Sequence, residues 1–134
     1  MTIAEIKNKL TSLGISSTEP IIVGSSILDI LGIRPSNDVD VLISKETFCK
    51  IADHGHEILQ RPDGSEKIEV DDIELMYDWY GKKVSDAAIK TTVIDGIKFM
   101  SIEEVRRWKA LLDRSKDQAD ILLIDKYLES CGKT

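Results

Sequence analysis

The stretch Val23 to Ser44, VGSSILDILGIRPSNDVDVLIS, sets two aspartates, Asp38 and Asp40, one residue apart at the start of an apolar run. On a strand, residues two apart point the same way and lie roughly 6–7 Å apart. Asp38, Asp40 and Leu42 then share one face, while Val39, Val41 and Ile43 share the other, which reads as core. Two carboxylates on one face repel. A divalent cation removes the conflict, and Mg²⁺ is commonly held by one or two carboxylates plus phosphate oxygens. A solvated strand end is the commoner meaning of a bare D-x-D. Fourteen residues before Asp38 lies Gly24-Ser25-Ser26, a small-residue turn of the kind that lets a backbone approach a phosphate, or a plain strand-to-helix turn.

Further along, Ile73, Leu75 and Tyr77 alternate with Glu74, Met76 and Asp78. Glu74 is polar within an otherwise apolar stretch, which makes it a candidate third carboxylate, with Asp72 and Asp78 as rivals. Lys109, Arg114 and Lys116 are cations in a chain of net charge −6. An Arg grips phosphate oxygens through two parallel hydrogen bonds, and a Lys acts as a point charge. A solvated helix face is the competing reading of the same run. Asp117 stands near a helix start, where negative charge is favoured. Trp108 reads as core rather than as a base-stacking platform, and nothing marks His54 or His56 as catalytic or metal-binding.

These residues need elements to hold them. Thr2 and Glu5 form a capping box before a helix that runs to Leu13. PIIV, residues 20–23, is a short buried strand running into Gly24-Ser25-Ser26 and a short helix ended by Gly32. DVDVLIS is the next strand, and Ser44 caps a helix that stops near Gly55. HEILQ and EKIEV are strands around the turn Arg61-Pro62-Asp63-Gly64, followed by DIELMYDW and by a hairpin across Asp95-Gly96. Ser101 with Glu104, and Ser115 with Gln118, read as capping boxes of two last helices. The first of these carries an apolar stripe of Val105, Trp108, Leu111 and Leu112. The order predicts an α+β (mixed α/β) domain with helices on a mostly antiparallel sheet and a C-terminal helical pair.

At 134 residues the chain suits one domain, 1–134, with a real core. It has no run of roughly 20 apolar residues and no signal-peptide pattern at its start, and Cys49 and Cys131 lack metal-like spacing, so a cytoplasmic protein with free thiols is expected. Its acidity excludes a general nucleic-acid-binding surface, though not an RNA gripped by a local patch.

A strand, Gly-Ser, a short helix and a strand opening with D-x-D resemble the signature of the nucleotidyltransferase fold superfamily, the DNA polymerase β type. The resemblance implies that Gly24, Ser25 and Ser26 contact a nucleoside triphosphate (NTP). It implies that Asp38, Asp40 and a third acid, here Glu74 in I-E-L-M, hold Mg²⁺ or Mn²⁺. Lys109, Arg114-Ser115-Lys116-Asp117 and Asp120-Ile121 are similar to the tail of small bacterial members, including antibiotic-modifying enzymes and toxins of abortive-infection systems. There, the lysine and the R-x-K-D residues line the cleft. The implied activity is transfer of a nucleoside monophosphate from an NTP to an acceptor hydroxyl on a small molecule, a tRNA end or a protein. The alternatives are a non-catalytic member that binds nucleotide or a partner chain, and a tRNA-modifying toxin. A chain this short leaves little room for an acceptor domain, so a homodimer or a second chain would complete the site. Lys109 is expected to contact the triphosphate most strongly, and its loss to leave the melting temperature of the free protein little changed.

Overall fold

The computed structural model describes residues 2–86 and 89–132. Helix α1 (Ile3–Ser12) begins at Thr2, whose Oγ1 accepts the Glu5 N–H at 3.2 Å while the Glu5 carboxylate accepts the Thr2 N–H at 3.1 Å. Strand β1 (Ile21–Val23) turns through Gly24 and Ser25 into α2 (Ser26–Ile30), and β2 (Val39–Leu42) follows. Helix α3 (Lys45–Asp53) is capped by Ser44, whose Oγ accepts the Thr47 N–H at 3.1 Å. Then come β3 (Leu59–Gln60), β4 (Glu66–Val70), β5 (Ile73–Met76), the hairpin β6 (Thr91–Ile94) and β7 (Ile97–Met100), and the helical pair α4 (Ile102–Leu112) and α5 (Ser115–Ser130).

The strands form one sheet in the order β3-β4-β5-β2-β1-β7-β6. Ladders β1–β2, β3–β4, β4–β5 and β6–β7 are antiparallel, while β2–β5 and β1–β7 are parallel. Alternation along a strand shows which face is buried, but says nothing of the partner's direction. That is why the two parallel pairings, both at the sheet's centre, were not legible. Ile21, Ile22 and Val23 are all buried, as expected of a central strand covered on both faces. Leu42 is also fully buried, so only the Asp38–Asp40 end of β2 is open to polar groups. The core joins these strands to Leu10, Leu28, Phe48, Val105 and Ile124, one from each helix. Among the described residues, no helix is long and apolar enough to cross a membrane.

Three local expectations need correction. Leu111 leaves the apolar stripe of α4 and is 80% exposed, while Lys109 on the same helix is buried. Glu104 is only half of a capping box. Its N–H reaches Ser101 Oγ at 3.2 Å, but its carboxylate turns to Arg107 and the Lys90 N–H. Ser115 is the first residue of α5 rather than its cap, and Gln118 bonds Asp113 instead. Asp117 does the capping, accepting the Arg114 N–H at 3.1 Å.

The turn after β1 demands glycine for two reasons. Gly24 has φ +74°, and a Cβ there would stand 3.1 Å from Asp40 Oδ2. Gly24→Ala is therefore expected to cost about 1–2 kcal/mol, through the left-handed backbone and displacement of the Asp40 carboxylate. Urea denaturation of the two proteins checks this, and an unchanged midpoint would contradict it.

Candidate functional site

Strand register builds the acidic wall. Asp40 pairs with Glu74 across the parallel β2–β5 ladder, and Glu74 pairs with Glu69 across the antiparallel β4–β5 ladder. Residues paired this way project from the same face, so Asp40, Glu74 and Glu69 form a row across three strands. Lys67, two residues before Glu69, bridges Glu69 at 2.8 Å and Glu74 at 3.4 Å. Asp38, just before β2, is exposed at the rim, where its backbone carbonyl accepts from Ser26 and Ser36 hydroxyls, each at 3.2 Å. Asp40 is the crowded member. Burial, then the charges of Glu74 and Asp38, push its carboxyl up to about 6, against an opposing pull from Arg61.

Facing this wall is a chain of alternating charges. Arg34, in the loop before β2, grips Asp120 on α5 with both nitrogens of its fork, at 2.6 and 2.7 Å. Lys109 Nζ lies 2.9 Å from Asp120 and 3.4 Å from Asp117. Asp117 in turn accepts from Arg114 at 2.6 and 3.1 Å. Hydrogen bonds from Arg114 hold the Asp117 carboxyl down to about 2, although it is fully buried. Burial works to raise Asp120, yet hydrogen bonds from Arg34 and Lys109 keep it below its ordinary value. Three cations against two acids leave a positive excess facing the acidic row.

Between the two walls lies an open cavity of about 420 Å³, lined by Ser25, Asp38, Asp40 and Glu74 on one side and by Lys109, Arg114 and Lys116 on the other. The D-x-D pair and the C-terminal cations, more than sixty residues apart in sequence, thus meet in one place. Of the rival acids, Glu74 alone reaches this cavity. Asp72 lines a neighbouring hollow, and Asp78 is held by Lys83 at 2.5 Å and the Gly81 N–H at 2.9 Å. Gly24 lies under the Asp40 carboxylate, Ser26 is buried, and Asp117 sits behind Lys109 and Arg114, so none of these three is on the cavity wall.

Sequence reasoning passed over Arg34 as a site residue and quoted Asp120 only as part of a motif. Their pairing spans 86 positions, which no local pattern reveals. It also expected Lys109 to serve the triphosphate, with little change in melting temperature on its loss. Lys109 is instead buried between two carboxylates, so its loss must disturb the folded protein itself.

The donor set suits a hard divalent cation held openly. Hard oxygen ligands crowd one wall, and Asp40 carries an unresolved charge conflict. Among the described residues, no group of three His, Cys, Asp or Glu side chains is gathered closely enough to hold a metal ion by itself. Mg²⁺ tolerates such a site, because phosphate and water oxygens complete its shell.

No family model matches the sequence, and no curated protein matches it. Two solved structures share the architecture. JHP933 from Helicobacter pylori aligns over 95% of this chain and 68% of its own, at 17% identity and a TM-score of 0.58. ANT(2")-Ia, an aminoglycoside nucleotidyltransferase solved in complex with adenylyl-2"-tobramycin, aligns over 94% of this chain and 87% of its own, at 16% identity and a TM-score of 0.56. The fold is the nucleotidyltransferase fold. At this identity the likeness concerns the backbone scaffold alone. In this nucleotidyltransferase fold, the acidic wall comes from β2 and β5 and the basic wall from α4 and the start of α5.

Two predictions follow from the charges. Lys109→Ala leaves Asp117 and Asp120 short of a buried partner and is expected to lose roughly 3–5 kcal/mol of stability, read as a lowered melting temperature; an unchanged melting temperature would contradict the network. Asp40 behaves oppositely. Its folded value, about 6, lies above its unfolded value of 3.8, so the folded state holds a proton in that window that the unfolded chain has released. Native stability therefore falls as pH rises from 3.8 to 6 and then levels. Asp40→Asn removes that loss. Without metal, the variant is expected to be more stable than the parent by up to about 3 kcal/mol above pH 6, with the gain fading toward pH 4. A variant destabilised at pH 7 would show that Asp40 has a structural partner.

Proposed function

We propose that this protein transfers a nucleoside monophosphate from an NTP to an acceptor hydroxyl. The observation that carries this reading is the meeting of the Asp38–Asp40–Glu74 wall with the Lys109–Arg114–Lys116 wall across one cavity, on a scaffold shared with an aminoglycoside nucleotidyltransferase. Asp38, Asp40 and Glu74 would hold Mg²⁺ or Mn²⁺, which supplies Lewis-acid chemistry: neutralisation of phosphate charge and easier ionisation of the attacking hydroxyl.

The chain's own residues do the rest. Ser25, the residue of the Gly24-Ser25 turn that reaches the cavity wall, would receive phosphate oxygens beside Asp40. Lys116 is exposed on the cavity wall with no ion-pair partner among the described residues, and it is the cation most available to the triphosphate. The Arg114 side chain is 44% exposed and can share its guanidinium between Asp117 and a phosphate. Lys109 acts as a fixed charge in the wall rather than as a mobile hand. The acceptor oxygen forms a bond to the α-phosphorus as the bond to the β-phosphate oxygen breaks. Pyrophosphate leaves, and a carboxylate of the acidic wall takes the hydroxyl proton. The neighbour's adenylyl-2"-tobramycin makes a small hydroxylated molecule the first acceptor class to try.

The Lys67–Glu74 bridge and the self-compensated Lys109 favour a second reading, a scaffold that binds nucleotide or a partner chain without turnover. Calorimetry with each of the four NTPs, with and without Mg²⁺, tests binding, and transfer of label from α-labelled NTP to acceptor mixtures tests turnover. Binding is expected to need the metal and to be lost in Asp40→Asn. Lys116→Ala is expected to weaken it by roughly 1.5–3 kcal/mol, with no change in melting temperature. Metal-independent binding that survives Asp40→Asn would sink the enzymatic reading.

A further inference from the structure

A second, smaller cavity of about 260 Å³ adjoins the first, and the two share Tyr80 and Trp108 in their linings. Trp79 and Met100 supply its apolar floor, and Glu104 and Arg107, paired to one another, supply a polar edge. The three aromatic rings pack on each other with centroids 4.9, 5.1 and 5.7 Å apart. Trp108 is partly buried and packs against the core, as expected, while one side of it lines both cavities. Its indole Nε1–H is buried and meets no acceptor among the described residues. A buried donor without a partner is costly, and native proteins rarely keep one without a use.

Tyr80 carries an independent sign. Trp79 and Lys82 exchange backbone hydrogen bonds at 2.9 and 3.0 Å around a two-residue turn, Tyr80-Gly81, in which both residues have positive φ. Asn, Asp or Gly is the inexpensive choice at the first of these positions. Here a tyrosine takes φ +51°, and the residue is 46% exposed and lines both cavities. An aromatic ring held at a conformational cost, beside an unused ring N–H, is what a planar ligand with a hydrogen-bond acceptor would require.

Resting on the nucleotidyl-transfer reading, the geometry points to this aromatic cavity as the site of the NTP's base. The base stacks against Tyr80, and a shift of the Trp108 ring that uncovers its buried Nε1–H lets a ring nitrogen or carbonyl oxygen of the base accept it, while the triphosphate lies between the acidic and basic walls. One molecule then uses both cavities, and Tyr80 and Trp108 form the step between its two ends. Stacking on a ring is tolerant of base identity. A lone donor likewise finds an acceptor on every base, so the site recognises a base without selecting strongly among the four.

The test reads the two indole N–H resonances of the ¹⁵N-labelled chain, assigned with Trp108→Phe, and follows them as nucleosides, tripolyphosphate and Mg²⁺-NTP are added. Nucleosides, which carry no phosphate, are expected to shift the Trp108 indole resonance, and tripolyphosphate to leave it in place. In parallel, Tyr80→Asn relieves the turn and is expected to keep or raise the melting temperature while weakening Mg²⁺-NTP binding about tenfold. Trp108→Phe keeps a ring and loses the donor, and is expected to weaken that binding about fivefold. Neither substitution should alter tripolyphosphate binding. If NTPs bind but no nucleoside or NTP moves the Trp108 indole resonance, and Tyr80→Asn binds like the parent, the base lies elsewhere and the inference is wrong. If nucleosides move that resonance while no NTP binding depends on Mg²⁺, the aromatic site stands and the transferase reading falls.

Discussion

The parallel pairing of β2 with β5 sets Asp40 directly across from Glu74, and most features of the cavity are consequences of that register. An antiparallel neighbour on one side and a parallel one on the other bring three acids into a row that a single strand could never assemble. Gly24 gives way so that the Asp40 carboxylate has room. Lys67 and Arg61 offset part of the charge, yet Asp40 still holds its proton up to about pH 6. The site is thus built around an electrostatic conflict, placed at the edge of a core whose remaining β2 residues are apolar and buried. Such frustration is expected where a ligand, rather than the fold, supplies the missing partner.

The opposite wall works by a different principle. Arg34, Asp120, Lys109, Asp117 and Arg114 are satisfied among themselves, and their hydrogen bonds tie the loop before β2 to the start of α5. Buried charge pairs of this kind add little net stability but are costly to break, so they fix position more than they add energy. The loop carrying Asp38 is thereby held against the helices carrying Lys109 and Arg114. A flexible acidic wall would lose its separation from the basic one, and the Arg34–Asp120 fork constrains it.

Much of this was readable from the sequence because local physics determines it. Thr2–Glu5 capping, the Gly24 turn, the burial of Val39 and Val41 and the hairpin at Asp95-Gly96 all follow from spacing and residue type. Parallel partners are set by distant segments, and periodicity does not report them. Lys109 shows the same limit. One sequence shows a lysine amid apolar residues, whereas its two acids lie 8 and 11 positions on, beyond the end of α4. Tyr80 was missed because a positive-φ turn normally announces itself by Asn or Asp, and here the turn residue departs from that chemistry.

The most direct test of the account is the titration of the Asp40 carboxyl itself, followed by carbon-13 NMR in the metal-free protein and again with Mg²⁺ and a non-hydrolysable NTP. The account predicts a midpoint near 6 without metal, and a fall below the ordinary carboxylate range once cation and nucleotide are bound. An ordinary carboxylate midpoint in the metal-free protein, unmoved by Mg²⁺ and nucleotide, would contradict it.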